Sequence, residues 1–192
     1  MKIERIRNPL TASYYNVKNL LLSSDFPWFW YNDSHDINEV RRLLPRVNIQ
    51  DFDNVSFYGH VIVGRPLQND NILKLLPTVR SNFMEPIYNL FIDTIKENNI
   101  KVHSIMRINA NCVHGGNTTK FSIPHVDHEF DHTNMIFYFS NVGGATVLLN
   151  REDSSITDEY EPNEDDVITF KGLHCMRPSA FGRRIILIFT YI

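Results

Sequence analysis

Residues 183–192 read RRIILIFTYI, and no other segment limits the fold as strongly. In a strand, Arg183, Ile185, Leu187, Phe189 and Tyr191 share one face; Arg184, Ile186, Ile188 and Thr190 share the other. Both faces are nearly all apolar, which predicts a central strand covered on its two sides. A cation at the start of such a strand needs an anionic partner, because an unpaired buried charge is costly. Alternation alone does not choose between Arg183 and Arg184.

The segments that precede it are strand-like as well: VHSIMRIN (102–109), TKFSIPHV (119–126), TNMIFYFS (133–140), ATVLL (145–149) and DVITFK (166–171). HGGN (114–117), NVGG (141–144), EPNED (161–165) and MRPSAFG (176–182) separate them as turns. Many short strands with such turns predict a sandwich or a double-sheet jelly roll. Upstream of residue 100, helical patterns dominate. Phe83, Ile87, Leu90, Phe91 and Ile95 fall on one face of a helix over 82–98, with Ser81 as N-cap, and a shorter helix is expected over 13–22. FPWFWYND (26–33) reads as an aromatic strand or loop and SFYGHVIV (56–63) as a strand. The expected class is α+β. A jelly-roll (double-stranded β-helix) core over 101–192 carries N-terminal helices on one sheet, and 1–100 is a helical or mixed support within one domain, 1–192.

The formal charge of −3 and pI of about 6.2 argue against a sequence-independent nucleic-acid binder, which carries a basic face. They leave room for an enzyme that touches one nucleotide. Cys112 and Cys175 do not make a disulfide framework and are read as reduced thiols of a cytoplasmic protein. MKIERIRNPL lacks an apolar core, and no stretch approaches 18 apolar residues, so neither a signal peptide nor a membrane span is expected.

The chemistry concentrates in PHVDHEFDH (124–132), where two metal motifs overlap. HEFDH fits the H-E-x-x-H pattern of zinc hydrolases, with Glu152 as a conceivable third ligand. That pattern needs a helix to put His128 and His132 on one face. Pro124 upstream and the β-rich TNMIFYFS downstream deny it one. HVD works on extended backbone, where His125 and Asp127 point to the same side. A third ligand from another strand would complete two histidines and one carboxylate, a set that leaves positions open on Fe(II). His174, between DVITFK and the MRPSAFG turn, is the candidate. A non-catalytic β-sandwich with an incidental histidine cluster is the rival from a different class.

The ordered set H-x-D (125–127), GGAT (143–146), EPNEDDVITFKGLH (161–174) and HCMRPSAFGRR (174–184) resembles the Fe(II)/2-oxoglutarate-dependent dioxygenases, in particular their prolyl-hydroxylase-like branch. The resemblance covers roughly residues 102–192. It implies that His125, Asp127 and His174 hold Fe(II). It also implies 2-oxoglutarate and O₂ as cosubstrates, and hydroxylation of a C–H bond with release of succinate and CO₂. In that branch a basic residue about nine positions beyond the distal histidine binds the far carboxylate of 2-oxoglutarate, which selects Arg183. Asn109 and Tyr138, on strands expected to line the barrel, are candidates for further 2-oxoglutarate contacts, and Thr146 is expected near the pocket. His128 and His132 are expected as neighbours of the ligands or solvent-facing residues. The substrate is not legible: a protein side chain, a small metabolite and a nucleobase all remain open. Short versions of this family occur in bacteria and phages, and the 20 asparagines and 20 isoleucines fit an AT-rich genome of that kind.

Overall fold

RRIILIFTYI forms β15 (Arg183–Tyr191), which lies inside an eight-stranded antiparallel sheet. In the computed structural model, residues 1–32, 44, 48–69, 72–74, 76–116, 120–179 and 181–192 are described. β15 pairs on one side with β10 (Thr133–Tyr138) and on the other with β8 (Ile105–His114). Beyond β10 lie β13 (Val167–Phe170) and β1 (Glu4–Ile6). Beyond β8 lie β4 (Phe57–Gly64) and β2 (Phe29–Tyr31), with β7 (Thr78–Val79) also paired to β4. A second sheet has the order β12 (Ile156–Tyr160), β11 (Thr146–Leu149), β14 (His174–Met176). β3 (Phe52–Asp53) and β9 (Phe121–Ser122) make a short parallel pair, and β5 (Leu67–Asn69) and β6 (Ile72–Lys74) a hairpin-like one.

The two faces of β15 meet two different layers, as its sequence requires. Ile185, Leu187 and Phe189 join Ile108, Ala110 and Phe137 in a core against α1 (Ala12–Leu22) and α2 (Met84–Glu97). The helices supply Tyr14, Val17 and Leu21 from α1 and Ile87, Leu90 and Phe91 from α2. Phe91 stacks on Phe189 at 4.8 Å. Burying each such aromatic contributes about 1.5–3 kcal/mol. On the opposite face, Ile186 joins Ile136, Tyr138, Leu148, Ile168 and Phe170 in a core between the two sheets. Helices on one side and a second sheet on the other make this a jelly-roll core with helical cover, the expected class.

Both expected helices are present. Thr11 caps α1, its hydroxyl accepting from the Tyr14 amide at 3.4 Å. At α2 the cap position falls on Phe83 rather than Ser81, whose hydroxyl instead accepts from the Phe83 amide at 3.2 Å in the preceding turn. The larger difference is upstream of residue 100, where among the described residues strands β1 to β7 outnumber the helices. All but β4 are only two or three residues long, too short to show an alternating pattern. They also tie the halves of the chain together: β1 pairs with β13, and β4 with β8. Cys112 and Cys175 are both buried free thiols. Among the described residues no helix is long and apolar enough to cross a membrane.

Candidate metal centre

The PHVDHEFDH segment contains no helix. At His125 it runs extended and makes an antiparallel bridge to His174, with backbone hydrogen bonds of 2.9 and 3.0 Å in the two directions. The bridge puts the two imidazoles 4.3 Å apart, centroid to centroid. Asp127 follows two residues on, and one ligand atom from each of His125, Asp127 and His174 lies within 4.8 Å of the others. This is the only such group of three found among the described residues.

The ring orientations favour ligation. His125 Nδ1 lies 3.2 Å from the Ile123 carbonyl and His174 Nδ1 3.1 Å from the Gly172 carbonyl. A carbonyl only accepts, so both Nδ1 atoms carry a proton, and Nε2 is the atom that each neutral ring would offer to a metal. Burial pushes the His174 pKa down, more than the Asp127 charge raises it, and keeps the ring neutral. Burial alone would push the Asp127 carboxyl up; the Arg107 charge above all, with that of Arg65, outweighs it and holds it well below the usual carboxylate range. Asp127 divides its oxygens: Oδ1 accepts from Arg107 Nη1 at 2.5 Å and Arg65 Nη2 at 3.1 Å, while Oδ2 faces His174 Nε2 at 3.6 Å.

HEFDH is not a metal site here, for want of the helix it requires. His128 Nε2 is hydrogen-bonded to Thr190 Oγ1 at 2.7 Å, and the ring stacks on Phe130. Burial, then the neighbouring His132, pushes the His128 pKa down to about 4. His132 donates from Nδ1 to the Phe130 carbonyl at 2.8 Å. Both rings are buried rather than solvent-facing.

A cavity of about 420 Å³ lies between the sheets, and His125, Asp127 and His174 form part of its wall. That volume suits a small-molecule site. Arg184, Thr146, Asn134 and Ile186 also line it, as do Arg65, Arg107, Asn111, Tyr31 and Phe57. Arg184 is 3% exposed. Its Nε donates to the Gly144 carbonyl at 2.9 Å and its Nη2 to Thr146 Oγ1 at 3.2 Å. The guanidinium also lies 5.2 Å from the Tyr138 ring centroid. Among the described residues it has no carboxylate partner. Asn134 is fully buried against the cavity with neither amide atom hydrogen-bonded.

Three sequence candidates sit elsewhere than expected. Arg183 is exposed and outside the cavity. It opens the helix-facing row of β15, whereas Arg184 shares the cavity-facing row with Ile186 and Ile188. Tyr138 lies behind the wall, its hydroxyl 2.7 Å from Thr146 Oγ1. Asn109 does not line the cavity either; its amide donates to Asn111 Oδ1, and Asn111 does. Arg107, Arg65 and Asn134 were not anticipated. A signal for Arg107 exists in hindsight: 107, 109 and 111 put Arg, Asn and Asn on one face of a strand whose other face is apolar.

Gly144 makes room for Arg184. Its φ is +93°, and a Cβ there would come within 2.8 Å of Arg184 Cδ. Gly144→Ala is expected to cost on the order of 1–3 kcal/mol of stability from backbone strain. Urea denaturation measures this; an unchanged midpoint would contradict the account of this turn.

No family model matches the chain, and no curated protein matches it. Solved structures do. A 2OG-Fe(II) oxygenase family oxidoreductase from Burkholderia pseudomallei superposes with a TM-score of 0.56 at 14% identity, covering 97% of this chain and 93% of that one. A prolyl hydroxylase from Trichoplax adhaerens, solved with a peptide fragment of the hypoxia-inducible factor oxygen degradation domain, superposes with a TM-score of 0.57 at 11% identity, covering 99% and 83%. The fold is that of the 2-oxoglutarate/Fe(II) oxygenases. At these identities the likeness extends to the fold alone. In this chain the oxygenase fold has its two facing sheets around the His125, Asp127 and His174 cluster.

Proposed function

We propose that the chain, as one unit over residues 1–192, is an Fe(II)- and 2-oxoglutarate-dependent oxygenase that hydroxylates a C–H bond. One observation carries this: two histidines and one carboxylate share a cavity with Arg184, a buried cation that has no carboxylate within ion-pair distance among the described residues. The donor set of two nitrogens and one oxygen with open positions suits non-haem Fe(II). A dicarboxylate supplies what the rest of the cavity lacks. Its distal carboxylate would answer the charge of Arg184, in a fork geometry that guanidinium favours. The unpaired Asn134 amide offers it a further donor and acceptor.

When bound, the metal and 2-oxoglutarate supply the oxidation, consuming O₂ and releasing succinate and CO₂. The chain contributes placement. Backbone carbonyls of Ile123 and Gly172 fix the ligand tautomers. Arg107 and Arg65 orient Asp127 by holding Oδ1, which leaves Oδ2 turned toward His174. Tyr138 and Thr146 hold Arg184 in place rather than contact 2-oxoglutarate, and Arg184, not Arg183, takes the carboxylate role. Ile136, Ile186 and Ile188 make that part of the cavity apolar and strengthen the charge pairing there. The Trichoplax enzyme was solved with a peptide, which keeps a peptide among the substrate classes here, beside a small metabolite or a nucleobase.

The test is succinate formation from 2-oxoglutarate under air with added Fe(II) and no primary substrate. Slow, Fe(II)-dependent turnover is expected. Absence of succinate, together with hydrolase activity on addition of Zn(II), would transfer the assignment to a zinc enzyme.

A further inference from the structure

We propose that Arg65 and Arg107 seat a carboxylate carried by the primary substrate, beside the metal ligand Asp127; this rests on the oxygenase reading above. The two guanidinium groups converge on a single acceptor, Asp127 Oδ1, at 3.1 and 2.5 Å. Each makes only that one side-chain hydrogen bond among the described residues, although a guanidinium has five donors. Both line the cavity, so the remaining donors are available to a ligand. Two like charges held on one carboxylate oxygen repel each other, and no second acid lines the cavity among the described residues.

Charge counting across the cavity gives the same answer. Asp127 is the one acid among its described lining residues, against Arg65, Arg107 and Arg184. A divalent metal and a dicarboxylate cosubstrate cancel each other, and Asp127 cancels one arginine. Two positive charges are left over. The side chain of Arg65 is 43% exposed, so solvent screens part of its charge. What remains is about one charge to be met, which a monoanionic carboxylate does. Arg184 is buried and Arg65 is the more exposed of the cavity's arginines, so the solvent-reached part of the cavity beside Arg65 is left for a substrate. Tyr31 and Phe57 line the same cavity and stack at 5.1 Å with an interplanar angle of 12°. They offer a flat apolar wall for the body of a molecule whose carboxylate sits on the arginines.

The experiment uses the full chain loaded with Mn(II), which binds without turnover, and with saturating 2-oxoglutarate to fill the Arg184 side. Mn(II) and 2-oxoglutarate affinities are measured first. Phenylacetate, its neutral isostere phenylacetamide, and phenyl phosphate are then added as probes, and relaxation of their ring protons by the bound Mn(II) is read by NMR. Phenylacetate should be relaxed roughly tenfold more than phenylacetamide, as expected for losing a charge-assisted hydrogen bond. Arg65→Gln should reduce the phenylacetate effect by a similar factor when compared at Mn(II) and 2-oxoglutarate concentrations that saturate the variant, so that any loss of metal affinity from the missing Asp127 contact is removed from the comparison. Equal relaxation by the acid and the amide, or no effect of Arg65→Gln, overturns the carboxylate seat. Preference for phenyl phosphate overturns the carboxylate assignment. Failure of 2-oxoglutarate to bind the Mn(II)-loaded chain overturns the oxygenase reading and this substrate role with it, and it is seen before any probe is added.

Discussion

Asp127→Ala should cost the protein its divalent metal. Asp127 is the only anionic member of the ligand group, and it is 4% exposed. Without it, two imidazoles face two uncompensated guanidinium groups, and a cation entering that space is repelled. Removing an outer-shell partner typically costs 10–100-fold in metal affinity, so loss of this ligand should cost at least about 100-fold. Titration with Mn(II) measures it. The same change leaves Arg107, whose side chain is 17% exposed, without its partner, and the loss should stay below the roughly 3–5 kcal/mol of a fully buried pair. Asp127→Asn is the companion variant, since its amide oxygen still accepts from Arg107. It should recover much of the stability and little of the metal affinity. Recovery of both would mean that the carboxylate acts through the arginines and not through a metal.

Arg184→Met should uncouple stability from cosubstrate binding. Arg184 has a carbonyl, a hydroxyl and an aromatic face for company, and no carboxylate within ion-pair distance among the described residues, with the charge of Glu161 acting only from farther off. Burial pushes its pKa down, which reflects the cost of holding the charge there. A buried charge replaced by an apolar side chain of similar volume is often neutral or stabilising. The unliganded variant is therefore expected to melt at the wild-type temperature or above. Binding of 2-oxoglutarate should fall by roughly 30-fold or more, since truncating one partner of a buried charge pair costs about 2–5 kcal/mol. Arg183→Met, at an exposed position outside the cavity, should change neither. If the two variants weaken 2-oxoglutarate equally, Arg184 is not its anchor.

The sequence announced the architecture where segments were long and periodic. RRIILIFTYI is buried on both faces because helices cover one and the second sheet the other. It did not announce β12, because ITDEY is a polar strand at the edge of its sheet. Strands β1, β3 and β5 to β7 were hidden by their length, while β2 falls inside FPWFWYND, where strand and loop were both open. The cluster of His125, Asp127 and His174 was legible because extended backbone alone fixes which side His125 and Asp127 share, and the bridge to His174 does the rest. The choice between Arg183 and Arg184 was not. It depends on which face of β15 looks at the cavity, and spacing from His174 cannot decide a one-residue difference that flips a side chain to the other face. Arg65 was beyond reach because its role comes from pairing β4 against β8, a contact made by tertiary structure.

Anaerobic addition of Fe(II) and 2-oxoglutarate to the purified chain tests the central claim most directly, read as a visible charge-transfer band. One equivalent of each should produce the band in the wild type, Asp127→Ala should abolish it, and Glu129→Ala should leave it in place. A band that persists in Asp127→Ala and vanishes in Glu129→Ala would contradict the account.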